Sequence, residues 1–507
     1  MSAPFLRAGE YELNSRSSVG YERLPDFDGD QVFWQQEPPR PSWFSRKVPQ
    51  TFARFWPFRT RRQIRVFTRP FETQSRLRSR HNLNFLWLTR IALGYLLACI
   101  IFTAAFFPSY THVPPHYKAL RQRVQNGTTH GVGNVRNETV FIAAVLYDPT
   151  GKIAQGPWGR ALLRLIDLLG EENVFLSIYE NNSGGGRLAL ESLADKVSCN
   201  HSIISEPGLA LHGIPRVVLP GVSNANRALR PLERQDVPLY DKLLYLNDVV
   251  FDPVEALQLL FCTNADADGV AQYRAACAVD FTNPFKFYDT YATRDLEGYE
   301  MGLPFYPWFT AAGDAQSRQD VLAGEDAVRV QSCWGGMVAF DAHFFQKENP
   351  VRFRAVEELF WDASECCLIH ADIQKAMSDA GDITDSGIYM NPFVRVAYDV
   401  KTFQWLWTTR RFERLYPLVH GVVSNLARFP WVNPRRAEVP GQRAHHTVWM
   451  REDGANGGEA VGSWKTVERE ATNDGFCGRR GLEVVVEDRK AGQDGFETVP
   501  IPHFPII

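Results

Sequence analysis

The sequence predicts an α/β domain built on a doubly wound, mostly parallel sheet and tethered by a single N-terminal membrane-spanning helix. Three observations predict it. Residues 91–107 read IALGYLLACIIFTAAFF, seventeen positions without a charge. From residue 140 onward, short apolar runs alternate with stretches of helical spacing, as in successive β-α-β units. Several of those runs end in Asp, Glu or Asn, at the strand ends where such sheets bind ligands.

Residues 1–82 are rich in Pro, Arg and aromatics, lack sustained periodicity and read as a mostly disordered cytosolic tail. In segment 83–108, residues 85–89 lengthen the apolar run, Arg90 can snorkel and Pro108 closes it. That meets the roughly 20 residues a bilayer-crossing helix needs. The polar sequence ahead of it argues against a cleaved signal peptide. Between Arg40 and Arg90, thirteen Lys/Arg stand against one acid, Glu72, which sets the N-terminus on the cytosolic side. The glycosylation triplets at Asn126, Asn137, Asn181 and Asn200 all follow the span, which fits a lumenal C-terminal side. The expectation is a type II signal anchor. Residues 109–138, with His112-Val-Pro-Pro-His116, a short basic helix and Gly/Asn-rich sequence, read as a stem. Residues 139–433 read as the globular domain and 434–507 as an appendage of uncertain order. A net charge of −3 over 507 residues excludes a dedicated nucleic-acid binder. Beyond the span, seven cysteines permit bridges and leave at least one thiol unpaired within the chain; adjacent Cys366 and Cys367 are not expected to bond to each other.

Within the domain, 140–147 is a continuous apolar run suited to a strand buried on both faces. Residues 158–169 have helical spacing and Gly170 stops them; 173–179 is the next strand, 180–186 a loop and 187–197 a helix. A short strand is expected at 215–219 and a helix at 223–234, along which Arg227, Arg230 and Arg234 are spaced. The run Lys242-Leu-Leu-Tyr-Leu-Asn247-Asp248 is a buried strand ending in oxygen-bearing side chains, a place to hold a hard divalent cation against a diphosphate; the alternative is a solvated turn. Asp252 before Pro253 reads as a helix cap in preference to a metal ligand.

The domain resembles the fungal α-1,3-mannosyltransferase family associated with cryptococcal capsule synthesis. The resemblance covers about residues 139–430 and rests on ordered blocks: FIAAVLYD (141–148), IYENNSGG (178–185), KLLYLNDVVF (242–251), AVDFTNPFKFYDTYATRDLEG (278–298), VQSCWGGMVAFDA (330–342), SECCLIHADI (364–373) and NPFVRVAY (391–398). It implies a GT-A-like fold, a Golgi setting, and transfer of mannose from GDP-mannose to a glycan acceptor with retention of configuration. It also implies dependence on Mn²⁺ or Mg²⁺. Asn247-Asp248 then stands where such enzymes carry a D-x-D-like element, with its first carboxylate replaced by Asn247. Asp248 is the expected direct metal ligand, Asn247 a weaker one and His370 a third; the other reading of His370 is a structural histidine. Tyr147, Asp148 and Glu180 are expected at the nucleoside, and Arg227 and Arg230 at the phosphates or else on a solvated helix face. Asp280, Asp289 and Asp295, among aromatics, and Glu365 as base or nucleophile are the catalytic candidates. Trp334-Gly335-Gly336 is an acceptor-side turn or a core tryptophan with glycines relieving crowding. A UDP-sugar donor and an inactive lumenal scaffold are the alternatives.

Overall fold

The computed structural model describes residues 75–180, 185–206, 220–234, 238–346, 349–356, 358–375, 385–431, 433–451, 462–485 and 496–502. The 1–74 part of the expected tail, Asn181 and the expected strand 215–219 lie outside the described residues.

The first strands form where the apolar runs predict them. They are β1 Val140–Leu146, β2 Val174–Glu180, β3 Asn200–Ser205, β4 Lys242–Leu246 and β5 Ala275–Asn283. There follow β6 Lys286–Phe287, β7 Arg294–Asp295, β8 Val328–Ser332, β9 Met337–Asp341, β10 Trp361–Asp362 and β11 Ile388–Ala397. Ten of them make one sheet in the order β3-β2-β1-β4-β9-β5-β11-β8-β7, with β6 on β5. β1, β2, β3 and β4 pair in parallel, as do β5 and β11, while β9 runs antiparallel between β4 and β5. The sheet is therefore mixed, with most strands pointing one way. β4 and β11 are buried along their whole length, which is why their sequences carry no alternation.

The crossover helices agree with their capping residues. Pro157–Leu169 begins at a proline and ends at Gly170, whose φ of 86° no β-branched residue would accept. Asp252 caps Pro253–Cys262 by accepting a hydrogen bond from the Val254 N–H at 2.8 Å, so the cap is the role this residue holds.

The expected stem is different. Residues 115–126 form a helix whose Tyr117, Leu120 and Val124 are buried, and it packs against Pro253–Cys262. Those three side chains share one helix face, a stripe concealed by the surrounding basic residues. Asn391 donates to the Tyr117 hydroxyl at 2.7 Å, which ties this segment to β11. The described part of the expected stem is thus integral to the domain.

The region after residue 433 is also bound to the domain. A hairpin joins Arg443–Arg451 to Gly462–Glu470, and Arg479–Arg480 pairs with β10. Cys477 is bonded to Cys367, and Phe476 packs with Trp361, Ala363, Leu368 and Ala371. Arg354 bridges Asp372 and Asp474, each at 2.7 Å. Replacing Cys477 by Ser is expected to cost about 2–5 kcal/mol. Thermal unfolding of the full chain, with proteolysis after residue 433 as a second readout, checks this.

The helix Ser75–Phe106 contains an apolar stretch, Trp87–Phe106, long enough to cross a membrane and with none of it buried. Its exposure distinguishes it from a core helix of similar composition.

Candidate functional site

The order β3-β2-β1-β4 reverses direction between β1 and β4, because the chain winds one way from β1 and then returns to its other side. In a wound sheet the crevice at such a reversal, beyond the carboxyl ends of the strands, is the natural ligand site. Asp148 follows β1 and Asn247-Asp248 follows β4, so both sit at that crevice. Tyr398 follows β11 and Asp280 lies near the end of β5, on the same edge. The turn Cys333–Gly336 enters antiparallel β9 and therefore joins them.

One hydrogen-bonded chain connects these groups. The Tyr398 hydroxyl donates to Asp280 Oδ2 at 3.0 Å, and Asp280 Oδ1 accepts from the Asp289 N–H at 3.0 Å. Asp289 Oδ2 accepts from the Gly335 N–H at 3.3 Å. The Gly336 carbonyl accepts from the Asn247 N–H at 2.9 Å, and the Asn247 carbonyl accepts from the Trp158 indole at 2.8 Å. Asn247 is thus pinned on both sides, which fixes where Asp248 begins. Gly335 and Gly336 have φ of 60° and 67°, and a Cβ on Gly335 would stand 1.9 Å from the Ala278 carbonyl oxygen. The disulfide Cys277–Cys333 fastens this turn to β5.

The electrostatics are those of a crowded acidic site. Burial raises the Asp248 carboxyl to about 6, and Asp148 adds to the shift. Burial, then Asp289, raises Asp280 to about 7. Burial raises the Tyr398 hydroxyl far above its ordinary range, with Asp280, Tyr288, Asp248 and Asp289 adding to it. Four acidic or phenolic groups therefore surround Tyr398. Neither Asp248 nor Asp280 is ion-paired among the described residues. Asp248, partly exposed beside Asn247, is a hard oxygen donor of the kind Mn²⁺ or Mg²⁺ takes, whereas both Asp280 oxygens are already hydrogen-bonded and, among the described residues, no three carboxylates of this cluster converge on one point.

Several expected site residues lie elsewhere or are committed to other contacts. His370 is fully buried against Phe340, its Nε2 at 2.5 Å from the Cys333 carbonyl oxygen, and burial lowers its pKa to about 4. That placement matches the structural reading of this histidine. It lies beside Cys277 and Cys333, but those sulfurs are bonded to each other and offer no thiolate. Trp334 is buried in an aromatic cluster with Tyr245, Phe340 and Phe353, the core reading of that residue. Its neighbours Gly335 and Gly336 are in the site as backbone. Asp295 stands at the sheet margin on β7, three strands from β5, where it accepts from the Glu297 and Tyr299 N–H groups. Asp148 accepts from the Ile153 and Ala154 N–H groups, each at 2.9 Å, and so shapes the loop ahead of Trp158. Glu180 is buried and accepts from Ser205 at 2.6 Å. Arg227 is paired with Glu206 at 2.7 Å and donates to the Tyr179 hydroxyl, so it braces β2; Arg230 is exposed. Glu365 opens the helix Glu365–Lys375 beside Tyr245, and Tyr147 is partly buried at the end of β1. Asn126, Asn137 and Asn200 are exposed.

Asp295 provides a test independent of catalysis. Burial, with Glu297, raises its carboxyl from 3.8 to about 7. A raised folded-state value means that the protonated group stabilises the fold. That contribution is complete below pH 3.8 and is lost as the pH rises to about 7. Asp295→Asn keeps an acceptor oxygen and cannot ionise. Its melting temperature is expected to gain on that of the native chain as the pH is raised across this window.

Sequence reasoning overlooked Tyr398, and reached Tyr288 only as one of the aromatics interleaved with Asp280, Asp289 and Asp295. The two tyrosine rings meet edge to face at 4.9 Å, and both are partly exposed. The signal for Tyr398 was its position directly after the apolar run of β11.

Residues 139–372 match the family model described as Cryptococcal mannosyltransferase 1. The match includes Asn247, Asp248, Asp280, Asp289, Gly335 and His370 and stops short of Tyr398. No curated protein matches the chain significantly in sequence. Among solved structures, similarity is found to a mannosyltransferase from Pyrobaculum calidifontis in complex with GDP-Man and Mn²⁺, at 11% identity and a TM-score of 0.32, covering 67% of this chain and 76% of that one. A mannosyl-3-phosphoglycerate synthase from Rubrobacter xylanophilus is similar at 11% identity and a TM-score of 0.28, covering 72% of this chain and 94% of that one. Likenesses this faint bear on none of the chemistry. The wound sheet itself has the GT-A-like form expected from the sequence.

Proposed function

We propose that this chain, which over residues 139–372 belongs to the cryptococcal mannosyltransferase family, transfers mannose from GDP-mannose to a glycan acceptor at the cluster of Asp248, Asp280, Asp289 and Tyr398. The α-1,3 linkage, the retention of configuration and a Golgi-lumenal domain behind a type II anchor are part of this reading. The family match and the earlier resemblance support the sugar. The observation that carries the site is the hydrogen-bonded chain from Tyr398 through Asp280, Asp289 and the Gly335-Gly336 turn to Asn247. It joins β5 and β11 to the β1/β4 crevice, giving one ligand two sides to meet.

Asp248 is the residue that would hold a divalent cation, with Asn247 beside it. Such an ion supplies Lewis-acid neutralisation of the departing diphosphate. Asp289 is the partly exposed carboxylate beside the sugar, and fully buried Asp280 positions it and Tyr398 through its two hydrogen bonds. The Tyr398 and Tyr288 rings offer flat faces to the C–H side of a pyranose, and the Tyr398 hydroxyl keeps Asp280 oriented. Tyr398→Phe leaves the ring and deprives a buried carboxylate of its donor. It is expected to cost about 1–3 kcal/mol of stability and to lower turnover more than it changes donor KM.

Radiolabelled transfer by the full chain in detergent, comparing GDP-mannose with UDP-sugars under Mn²⁺ and then EDTA, tests the proposal. Transfer from GDP-mannose alone, abolished by EDTA, is expected. Transfer from a UDP-sugar alone would replace the donor, and no transfer from any donor, with no binding of GDP, would favour a scaffold.

A further inference from the structure

Helix Tyr416–Leu426 is inverted relative to a water-facing helix. His420 and Ser424 point into the protein and are buried, while Val419, Val422, Val423 and Leu426 point outward, Leu426 being 79% and Val422 62% exposed. In helix Val400–Thr409, Thr402, Leu406 and Thr409 are buried, while Trp405 and Trp407 stand more than half exposed. An apolar helix face of this kind is disfavoured in water and marks a surface with a non-aqueous partner. The two helices are joined by the turn Arg410–Leu415, and the apolar helix Ser75–Phe106 packs against that turn. The Ser109 N–H donates to the Arg410 carbonyl at 3.3 Å just beyond the apolar helix. Both outward faces therefore begin where that helix enters the domain.

We propose that the outward faces of Val400–Thr409 and Tyr416–Leu426 lie in the interfacial layer of the bilayer crossed by Trp87–Phe106. This rests on the anchor reading given above. Continuity with the span selects lipid as the occupant, since a turn packed against the emerging helix is held at the headgroup level. The composition agrees. Tryptophans and aliphatic side chains lie outward, and Arg411 and Arg414 flank them, with the Arg411 guanidinium 5.7 Å from the Trp407 ring centre. A hollow of about 490 Å³ lined by Phe285, Lys286, Pro304, Phe305 and Tyr416 adjoins the same helix. Lys286 and Phe287 form β6, directly before Tyr288 and Asp289. Docking would thus seat the acidic cluster close to the membrane surface and orient it there, which a single tethering helix alone cannot do.

The test uses the full chain reconstituted in phosphatidylcholine vesicles carrying a nitroxide on the lipid acyl chain, near the headgroup or at mid-chain. An environment-sensitive fluorophore is placed on a non-canonical residue at Val422, with Leu426 as a second position. Leu188, 73% exposed, is the aqueous control, and Leu97 within the span reports the anchor separately. The headgroup-proximal nitroxide is expected to quench position 422 at least twofold more than position 188, with mid-chain quenching at 97. Quenching at 97 but at neither 422 nor 426 would overturn the docking while leaving the anchor in place. Blue-shifted emission at 422 without lipid quenching would assign the face to a protein and likewise overturn it. Absence of quenching at 97 would refute the anchor and, with it, the docking that rests on it.

Discussion

Asp248→Asn in the full chain is expected to lower mannosyl transfer by roughly 1,000-fold, the upper part of the range for losing one preorganised charge-stabilising group. The substitution keeps volume and polarity and removes only the charge. The native carboxyl is raised to about 6 by burial and by Asp148, so its ionised form is held at a cost near neutral pH. Neutral Asn avoids that cost, and the melting temperature of the variant should not fall. Loss of turnover with retained stability separates a chemical role from a structural one. Asp295→Asn is the matching control, since Asp295 is buried and raised to about 7 yet lies at the sheet margin; it should retain transfer.

Gly335→Ala is expected to cost about 3 kcal/mol or more, combining left-handed backbone strain with overpacking. The added Cβ would meet the Ala278 carbonyl oxygen at 1.9 Å at a φ of 60°. Neither side can yield cheaply. Ala278 belongs to β5, paired on both edges, and the turn is fastened to that strand by Cys277–Cys333. Relief requires the turn to lift, which breaks the Gly335 bond to Asp289 and moves the Gly336 carbonyl that holds Asn247. Transfer should therefore be lost even in molecules that remain folded. Gly324→Ala isolates the backbone contribution, because Gly324 has φ of 87° with nothing within 4 Å of an added Cβ. It should cost about 1–2 kcal/mol and leave transfer intact. Chemical denaturation of the three proteins, with transfer assayed in parallel, measures both effects.

The parts legible in the sequence were those set by local patterning. β1, β2, β4 and the helix after Asp252 follow from uninterrupted apolar runs, a stopping glycine and an Asp-Pro cap. Asp248 was legible because an acid after a buried strand must emerge at the sheet edge. What depended on long-range pairing was not. Asp280, Asp289 and Asp295 look equivalent in one polar block, but β5 carries the first to the centre while β7 carries the last to the margin. His370 and Trp334 belong to conspicuous blocks, yet both point into the core beside the disulfide or the aromatic cluster, which spacing cannot reveal. Tyr398 lies 118 residues from Asp280 in sequence and meets it only because β11 pairs with β5. A short basic helix was legible at Pro115–Asn126, but its packing against the domain was hidden because its three inward side chains are outnumbered by polar ones.

Direct binding of Mn²⁺ tests the central claim most sharply. Titration of the full chain in detergent with Mn²⁺ in the presence of GDP, followed by the loss of the free-ion paramagnetic signal, should show one site per chain. Asp248→Asn should weaken that site at least tenfold without lowering the melting temperature. Equal affinity in the native chain and the variant would mean that the cation is held elsewhere and that Asp248 is not its ligand.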